Sequence, residues 1–247
     1  WTDEADGDPI SLYCAFNEMD EARFIVGRIN DWHEKGGNLS DCAILYRSNA
    51  QSRVLEEALL HKGLAYRIYG GLRFFERQEI KDAMGYLRLI NNKDDDAAFE
   101  RVVNTPPRGI GDRTLDILRS TARQHELTLW QASVRLLDEK VLAGRAANSV
   151  RGFMDLIMTM REDTQDMVLY RMADTVIQAS GLKAMYEAEK GEKAHARIEN
   201  LEELVTAART FEMPEELEDM GELNGFLSHA ALEAGEGQAD AFTDAVQ

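Results

Sequence analysis

The first 70 residues alternate between short apolar runs and segments with helical spacing. Glu18–Glu34 places apolar side chains three or four positions apart, and Gly36-Gly37 ends that pattern. Short, continuously apolar runs are typical of buried strands. Three runs are predicted to be strands: Pro9–Phe16, Cys42–Arg47 and Ala65–Tyr69. Strand, helix, strand, helix, strand at these lengths predicts a parallel sheet with right-handed crossovers.

A second helix is expected between the last two of these runs. Ser48 fits its N-cap, and Gln51, three residues later, completes a capping-box pattern. The apolar face that follows extends the helix to about Lys62.

After Gly71 the pattern changes, since helical periodicity recurs and no convincing strand is found before about residue 240. The predicted helices are Phe75–Asn91, Ala97–Val103, Asp112–His125, Leu129–Glu139, Ala143–Arg161, Tyr170–Ala179, Leu182–Glu189, His195–Phe211 and Glu222–Glu233. A domain boundary is placed at Gly70-Gly71. The predicted fold is therefore an α/β region with a partial parallel sheet, followed by a predominantly α-helical domain with helix-hairpin-helix-like turns.

A Gly-Ile-Gly turn, Gly109–Gly111, lies between two predicted helices, and Arg108 and Arg113 flank it. Glycines permit a tight backbone with positive φ. The helix that follows begins with unpaired amides and a positive dipole end, which suit a phosphate. A helix-hairpin-helix holds duplex DNA in this way by its backbone, without reading bases. The alternative is an ordinary helical corner with a capping glycine.

Arg47-Ser48-Asn49 lies where the second predicted strand ends and the next helix begins. In open parallel sheets, ligands bind outside the carboxyl ends of the strands. Arg47 offers a guanidinium fork, and Asn49 an amide that can bond to a base or a phosphate. It is equally consistent with the sequence that Arg47 forms a salt bridge and Asn49 supports the helix start.

The net charge of −17 at pH 7 argues against a nucleic-acid partner when it is averaged over the whole chain. Its distribution is uneven. Residues 45–125 carry 14 basic and 11 acidic side chains, whereas residues 155–247 carry 7 basic and 21 acidic ones. Because the basic excess coincides with the Gly-Ile-Gly turn, a local DNA contact is compatible with an acidic chain.

Other features of the sequence narrow the class of protein. No apolar run approaches the ~18 residues of a membrane span. The chain begins at Trp1 with neither an initiator methionine nor a signal peptide, so we expect a segment of a longer protein. Cys14 and Cys42 lie in apolar runs and are predicted to be buried free thiols, as in a reducing cytoplasm. A phosphate-binding Walker A loop, a His-Glu-x-x-His site and a nucleophile elbow are missing from the sequence, so no bond-breaking step is expected from it alone.

Four stretches together resemble the UvrD/Rep/PcrA group of superfamily 1A DNA helicases: ILYRSNAQSRVLEEALL, YRIYGGLRFFERQEIKDAMGYLRLI, NTPPRGIGDRTLD and RIENLEELV. They occur in the order of that family, and the similarity covers essentially the whole chain. The resemblance implies that residues 1–70 are part of the RecA-like motor domain 2A and that 71–241 form the helical domain 2B. Residues 242–247 then begin the return into 2A.

The same resemblance implies particular site residues. Tyr46-Arg47-Ser48-Asn49 is similar to a family motif whose Arg and Asn contact single-stranded DNA, which assigns that role to Arg47 and Asn49. The family's Gly-Ile-Gly motif touches duplex DNA ahead of the junction, and the matching residues here are Gly109, Ile110, Gly111, Arg113 and Thr114.

The resemblance further implies an ATP-dependent, 3′-to-5′ helicase of DNA repair, located in the cytoplasm. ATP and Mg2+ would be bound outside this segment. The expected partners are single-stranded DNA, a duplex junction, and excision- and mismatch-repair proteins. Two alternatives stay open. The acidic residues 155–247 could serve a non-catalytic regulatory or protein-docking module, and the parent could be a related replication-restart helicase.

Overall fold

The computed structural model describes residues 7, 9–69, 71–214, 219–235 and 244–247. Tertiary contacts divide these residues into two units. The first contains the described residues of Trp1–Arg47, Gln51–Gly71 and Gln238–Gln247, and the second contains those of Ser48–Ala50 and Leu72–Gly237. The predicted boundary residue Gly70, and residues 236–243 around the expected return into the first domain, lie outside the described residues.

The first unit is built around two helices, α1 (Glu18–Glu34) and α2 (Ser52–His61). Asn17 caps α1, since its side-chain oxygen accepts a hydrogen bond from the Asp20 amide at 2.9 Å. A short 3-10 turn, Asn49–Gln51, precedes α2. The apolar core of this unit comprises Val26, Ile29, Leu39, Leu59, Leu64, Tyr66 and Val246.

The prediction of a parallel sheet, and with it the α/β fold class, is wrong. None of the runs Pro9–Phe16, Cys42–Arg47 and Ala65–Tyr69 forms a strand. Among the described residues, β-pairing is limited to one isolated parallel bridge, between Tyr66 and Val246.

The physical reason is that an apolar run becomes a strand only where a neighbouring strand pairs with its backbone and a packed layer covers its side chains. In the first run Ile10 is 101%, Leu12 91% and Phe16 98% exposed, so nothing in the described part of the chain covers them. The other two runs bond to the last residues of the chain. The Ile44 amide donates to the Gln247 carbonyl at 2.7 Å, and the Arg67 amide donates to the Val246 carbonyl at 2.8 Å. These bonds do not extend into a ladder.

The second unit is helical, and the nine predicted helices are confirmed, with ends that differ from the predicted ends by three residues or fewer. Within the described residues they are α3 (Gln78–Asn91), α4 (Asp96–Val102), α5 (Asp112–His125), α6 (Leu129–Asp138), α7 (Gly144–Thr164), α8 (Leu169–Ala179), α9 (Leu182–Ala188), α10 (Glu192–Thr210) and α11 (Glu222–Gly235). A 3-10 turn, Phe74–Glu76, leads into α3.

Helix α3 lies at the centre of this unit and packs against α4, α7, α8 and α10. Its side chains Ile80, Tyr86, Leu87 and Leu89 are fully buried. The same helix buries the carboxylates of Glu79 and Asp82, which is unusual because burying a charge is costly unless it is paired. Glu79 is bonded by Asn200 at 2.6 Å, and Asp82 is paired with Arg101 at 2.8 Å.

The two cysteines differ in exposure. Cys14 is exposed and Cys42 is half-buried, so the prediction of a buried thiol is wrong for Cys14. Partial burial, together with the nearby Asp41 and Asp244 carboxylates, raises the pKa of the Cys42 thiol. Among the described helices, none has both the length and the apolar character that crossing a membrane requires.

Candidate nucleic-acid interface

The Gly-Ile-Gly turn joins α4 to α5, and its three residues have different roles. Gly109 has a φ of +78°, which an L side chain adopts only with strain, so this position carries the positive φ expected of the turn. Gly111 has an extended backbone with φ −88° and is the N-cap of α5. Ile110, which lies between the two glycines in sequence, is fully buried in the core. The turn is therefore anchored by its middle residue and exposed at both glycines.

Asn104 and Arg108 hold the turn from within. The Asn104 side-chain oxygen accepts the backbone amides of Arg108 at 2.8 Å and Ile110 at 3.3 Å. The Arg108 guanidinium donates to the carbonyls of Val102, Pro106 and Ser180 at 3.3, 3.0 and 2.7 Å. From the sequence, Arg108 is a candidate to bind a phosphate. In the structure its guanidinium instead donates to carbonyls of the protein.

The start of α5 presents unpaired backbone donors. The amides of Thr114 and Leu115 bond back to the Gly111 carbonyl at 2.9 and 3.2 Å. The amides of Asp112 and Arg113 have no hydrogen-bond partner among the described residues, as is usual for the first positions of a helix. The Arg113 side chain is exposed and likewise makes no ion pair within the described part of the chain, so donors and a positive charge coincide here.

Arg145, in the first turn of α7, is a candidate that sequence reasoning missed. A Cβ placed on Gly109 would lie 3.4 Å from Arg145 Nη2, 3.5 Å from its Nε and 3.7 Å from Ser149 Oγ. The guanidinium therefore lies directly against the turn. It is exposed, and no carboxylate pairs with it in the residues that the structure describes. No local pattern could have shown this contact, because 36 residues separate Arg145 from Gly109 along the chain.

A second helix–glycine–helix corner lies beside the first. Gly181, between α8 and α9, has a φ of +82°, and a Cβ there would lie 3.6 Å from Pro106 Cγ. Lys183 follows this corner and pairs with Glu202 on α10 at 2.9 Å, which raises the pKa of Lys183. Its charge is thus already partly balanced, so this corner offers less to a phosphate than the Gly-Ile-Gly turn.

A shallow groove of about 470 Å3 runs along the outer face of α5 from Arg113. Ser120 and Thr121 line it together with Asp116 and Ile117. Asp116 shares Arg119, at 3.2 Å, with Glu100, which lies closer to that guanidinium at 2.7 Å, so the groove keeps some negative charge. The groove continues the donor-rich surface of the turn with hydroxyl groups.

Arg47 and Asn49 both have exposed side chains. The Arg47 amide donates to Gln51 Oε1 at 3.1 Å, so the Gln51 side chain caps an amide one residue before the predicted one. Because the strand Cys42–Arg47 does not form, the argument from a sheet edge no longer applies to this site. Both residues stay candidates through their motif and their exposure. In the described residues, no cluster of three or more His, Cys, Asp or Glu side chains is arranged to hold a metal ion.

Comparison with known proteins points to one family. The family model described as the UvrD-like helicase C-terminal domain matches residues 1–247. DNA helicase II of Escherichia coli K12 is 68% identical over 247 residues, which is 100% of this chain and 34% of that protein. DNA helicase II of Haemophilus influenzae is 59% identical over the same 247 residues, again 100% of this chain and 34% of that protein.

The ATP-dependent DNA helicase PcrA of Bacillus subtilis is 38% identical over 241 residues, which is 97% of this chain and 32% of that protein. The chain thus spans about a third of the length of the curated relatives it matches. The family resemblance drawn from the four sequence stretches is confirmed.

Proposed function

The chain belongs to the UvrD-like helicase C-terminal domain family, and from this we propose that it is the DNA-contacting segment of an ATP-dependent DNA helicase. The parent enzyme moves 3′ to 5′ along a single strand and unwinds duplexes during DNA repair. In this proposal residues 1–70 belong to motor domain 2A, residues 71–241 form domain 2B, and residues 242–247 return to 2A. Single-stranded DNA, a duplex junction, and excision- and mismatch-repair proteins are its partners.

The duplex contact is the best supported part of this proposal, and one observation carries it. The unpaired amides of Asp112 and Arg113 lie at the start of α5 with the exposed Arg113 side chain, and the exposed Arg145 lies against Gly109 in the turn before it. A DNA phosphate needs this combination of directed N–H donors, a helix dipole and compact positive charge. Because only backbone phosphates are held, the binding is insensitive to base sequence.

Each residue of the motif has a distinct role in this contact. Gly111 leaves open space above the helix start, since a Cβ there would meet nothing within 4 Å. Gly109 provides the positive φ, and Ile110 fixes the turn through its buried side chain rather than by touching DNA. Arg113 supplies charge, and Thr114, which is half-buried, adds a hydroxyl at the third position of α5.

The single-strand contact is assigned to Arg47 and Asn49. Both side chains are exposed, and they provide a guanidinium and an amide two residues apart. The family motif Tyr-Arg-x-Asn, intact at residues 46–49, supports the assignment.

ATP and Mg2+ bind to parts of the parent enzyme outside these 247 residues. The sequence contains no Walker A loop that could hold the nucleotide phosphates. The 247-residue chain alone is therefore expected neither to hydrolyse ATP nor to unwind DNA. DNA-stimulated ATPase activity from the purified chain would contradict this division of roles.

The proposal is tested by a salt titration of duplex-junction affinity with the full-length enzyme. Arg113→Ala and Arg145→Ala should each weaken duplex binding, and the loss should not depend on the base sequence of the DNA. Each variant should also reduce the slope of log K against log salt concentration by about one. Arg151→Ala is the matched control, because it removes an exposed arginine from another face of α7. Unchanged affinity and slope in both test variants would make the turn a structural corner and favour a protein-docking role.

A further inference from the structure

The three residues Ser48–Ala50 are held by the helical unit through polar contacts to α10 and to the segment before α3. Ser48 Oγ donates to Glu199 Oε2 at 2.5 Å. Arg77 Nη1 donates to the backbone carbonyl of Asn49 at 2.9 Å. The backbone of Asn49 is thereby fixed, whereas its side chain remains exposed.

Arg77 is the centre of a buried hydrogen-bond network. The residue is only 8% exposed. Besides the Asn49 carbonyl, its Nη1 donates to Asn200 Oδ1 at 2.9 Å, and its Nε donates to the Leu72 carbonyl at 3.3 Å. The guanidinium also lies 5.4 Å from the centre of the Phe74 ring.

The network continues to a carboxylate on α3. Asn200 Nδ2 donates to Glu79 Oε1 at 2.6 Å, and both residues are buried. A buried guanidinium and a buried carboxylate are costly unless each is bonded. The side-chain amide of Asn200 connects them, so the line of bonds runs from Glu79 through Asn200 and Arg77 to the Asn49 carbonyl.

We propose that Arg77, oriented by Asn200, is a positioning residue that sets where the Asn49 side chain meets single-stranded DNA. The inference rests on the proposed single-strand contact. A carbonyl anchored by a rigid, buried guanidinium limits rotation of the peptide on either side, which fixes the direction of the neighbouring side chain. Glu199 restrains the same segment one residue earlier, through Ser48. The binding of single-stranded DNA by Asn49 thus depends on Glu199 and Asn200 of α10, a helix that is distant in sequence.

The test measures binding of a labelled oligo(dT) strand and of a blunt duplex by the full-length enzyme. Arg77→Met should weaken oligo(dT) binding by up to about tenfold, which is the loss expected if the misdirected Asn49 side chain no longer makes one hydrogen bond to the strand. Duplex binding should stay unchanged, since the Gly-Ile-Gly turn makes no use of Arg77. Arg101→Met is the matched control. It removes another arginine that bonds a buried carboxylate, Asp82 at 2.8 Å, and whose other bond, to the Gln78 carbonyl at 3.2 Å, does not involve Ser48–Ala50.

A double-mutant cycle separates this inference from the proposed function. If Arg77 acts through Asn49, then Arg77→Met should have little further effect in the Asn49→Ala background. Full additivity, or normal oligo(dT) binding by Arg77→Met, would overturn the positioning role alone. Normal binding by Asn49→Ala would instead overturn the single-strand contact itself.

A second variant keeps the inference testable if Arg77→Met fails to fold. Ser48→Ala removes a small hydroxyl and its bond to Glu199 but leaves the buried network intact. It should weaken oligo(dT) binding in the same direction by a smaller factor, and Asn49→Ala should mask the effect. An unchanged affinity in Ser48→Ala would then count against the inference.

Discussion

The Arg108 guanidinium donates to the backbone carbonyl of Ser180 at 2.7 Å and thereby ties the Gly-Ile-Gly turn to the corner between α8 and α9. The contact spans 72 residues of sequence. The same side chain lies 5.6 Å from the centre of the Tyr86 ring and 5.7 Å from that of Phe153. Burial raises the pKa of Tyr86 to about 12, so its hydroxyl stays neutral and donates to the Thr105 carbonyl at 2.6 Å.

Replacing Arg108 should therefore loosen both corners. Arg108→Met removes the donor of the Pro106 and Ser180 carbonyls, whereas the Val102 carbonyl keeps the Thr105 amide, and the cost for this region should be about 2–4 kcal/mol. Hydrogen–deuterium exchange should speed up around residues 103–115 and around 178–184. Arg113→Ala is the comparison, because its exposed side chain should change exchange very little. Faster exchange at the first corner alone would show that the bond to Ser180 contributes no stability.

The two glycines of the turn should respond differently to alanine. Gly111→Ala fits the extended backbone and the open space around it, so stability should change by less than about 0.5 kcal/mol. The added methyl group would keep a phosphate away from the Asp112 and Arg113 amides. Duplex affinity should therefore fall, by about tenfold if one good hydrogen bond is lost.

Gly109→Ala should instead lower stability. Its φ of +78° would cost an alanine about 1–2 kcal/mol, whereas the new methyl would only touch Arg145 at ordinary contact distance. Thermal unfolding and duplex binding measured on both variants distinguish the two effects. Destabilisation by Gly111→Ala, or none by Gly109→Ala, would contradict the roles assigned to these glycines.

The single-strand site should tolerate truncation without loss of structure. Arg47→Ala and Asn49→Ala remove exposed side chains, so folding should be unaffected. In the full-length enzyme each should weaken single-strand binding by about 1–3 kcal/mol and slow translocation. Lys62→Ala, at the end of α2, controls for the loss of an exposed charge. Normal translocation by both test variants would place the strand elsewhere.

The stability of the fold should depend on pH through the buried carboxyl group of Asp82. Burial raises the pKa of its carboxyl from 3.8, although the Arg101 guanidinium at 2.8 Å acts in the opposite direction. A raised pKa means that the folded protein binds this proton more tightly than the unfolded chain. This contribution stabilises the fold at low pH and is lost as the pH rises from 3.8 through the folded pKa.

Asp82→Asn removes that titration. The difference in stability between the wild type and Asp82→Asn should therefore change between pH 3.8 and the raised pKa of the folded state, and become constant at higher pH. Hydrogen exchange of α3 amides across this range measures the difference. A difference that does not vary with pH would mean that Asp82 titrates normally.

Local sequence was sufficient for the helices and insufficient for the rest of the fold. Thr128 and Gln131 form a capping box at α6, and Asp95 caps α4, so these starts are encoded within four residues. The prediction of strands was wrong because strand pairing depends on backbone groups that are distant in sequence. Leu45, in the second predicted strand, is 95% exposed despite its apolar run.

In the candidate sites, too, local features could be predicted from the sequence and long-range contacts could not. The Gly-Ile-Gly turn and the arginines that flank it were recognisable from the local sequence. The contributions of Asn104, Arg108 and Arg145 were not, because each depends on atoms brought together by folding. The sequence even suggested that Arg108 would be free for a phosphate, since nothing local reveals the three carbonyls around it.

The burial of Ile110 has a mechanical consequence. A loop attached only at its ends extends under tension, whereas this turn cannot be drawn outward without pulling an isoleucine out of the core. Exposing that side chain costs about 1.5–3 kcal/mol. Tension on a phosphate held at Gly111 would therefore pass directly to the helical core that contains Ile110 instead of stretching the connection. The turn should therefore be a rigid attachment point for DNA. It should be displaced by force only when the helical unit itself begins to unfold.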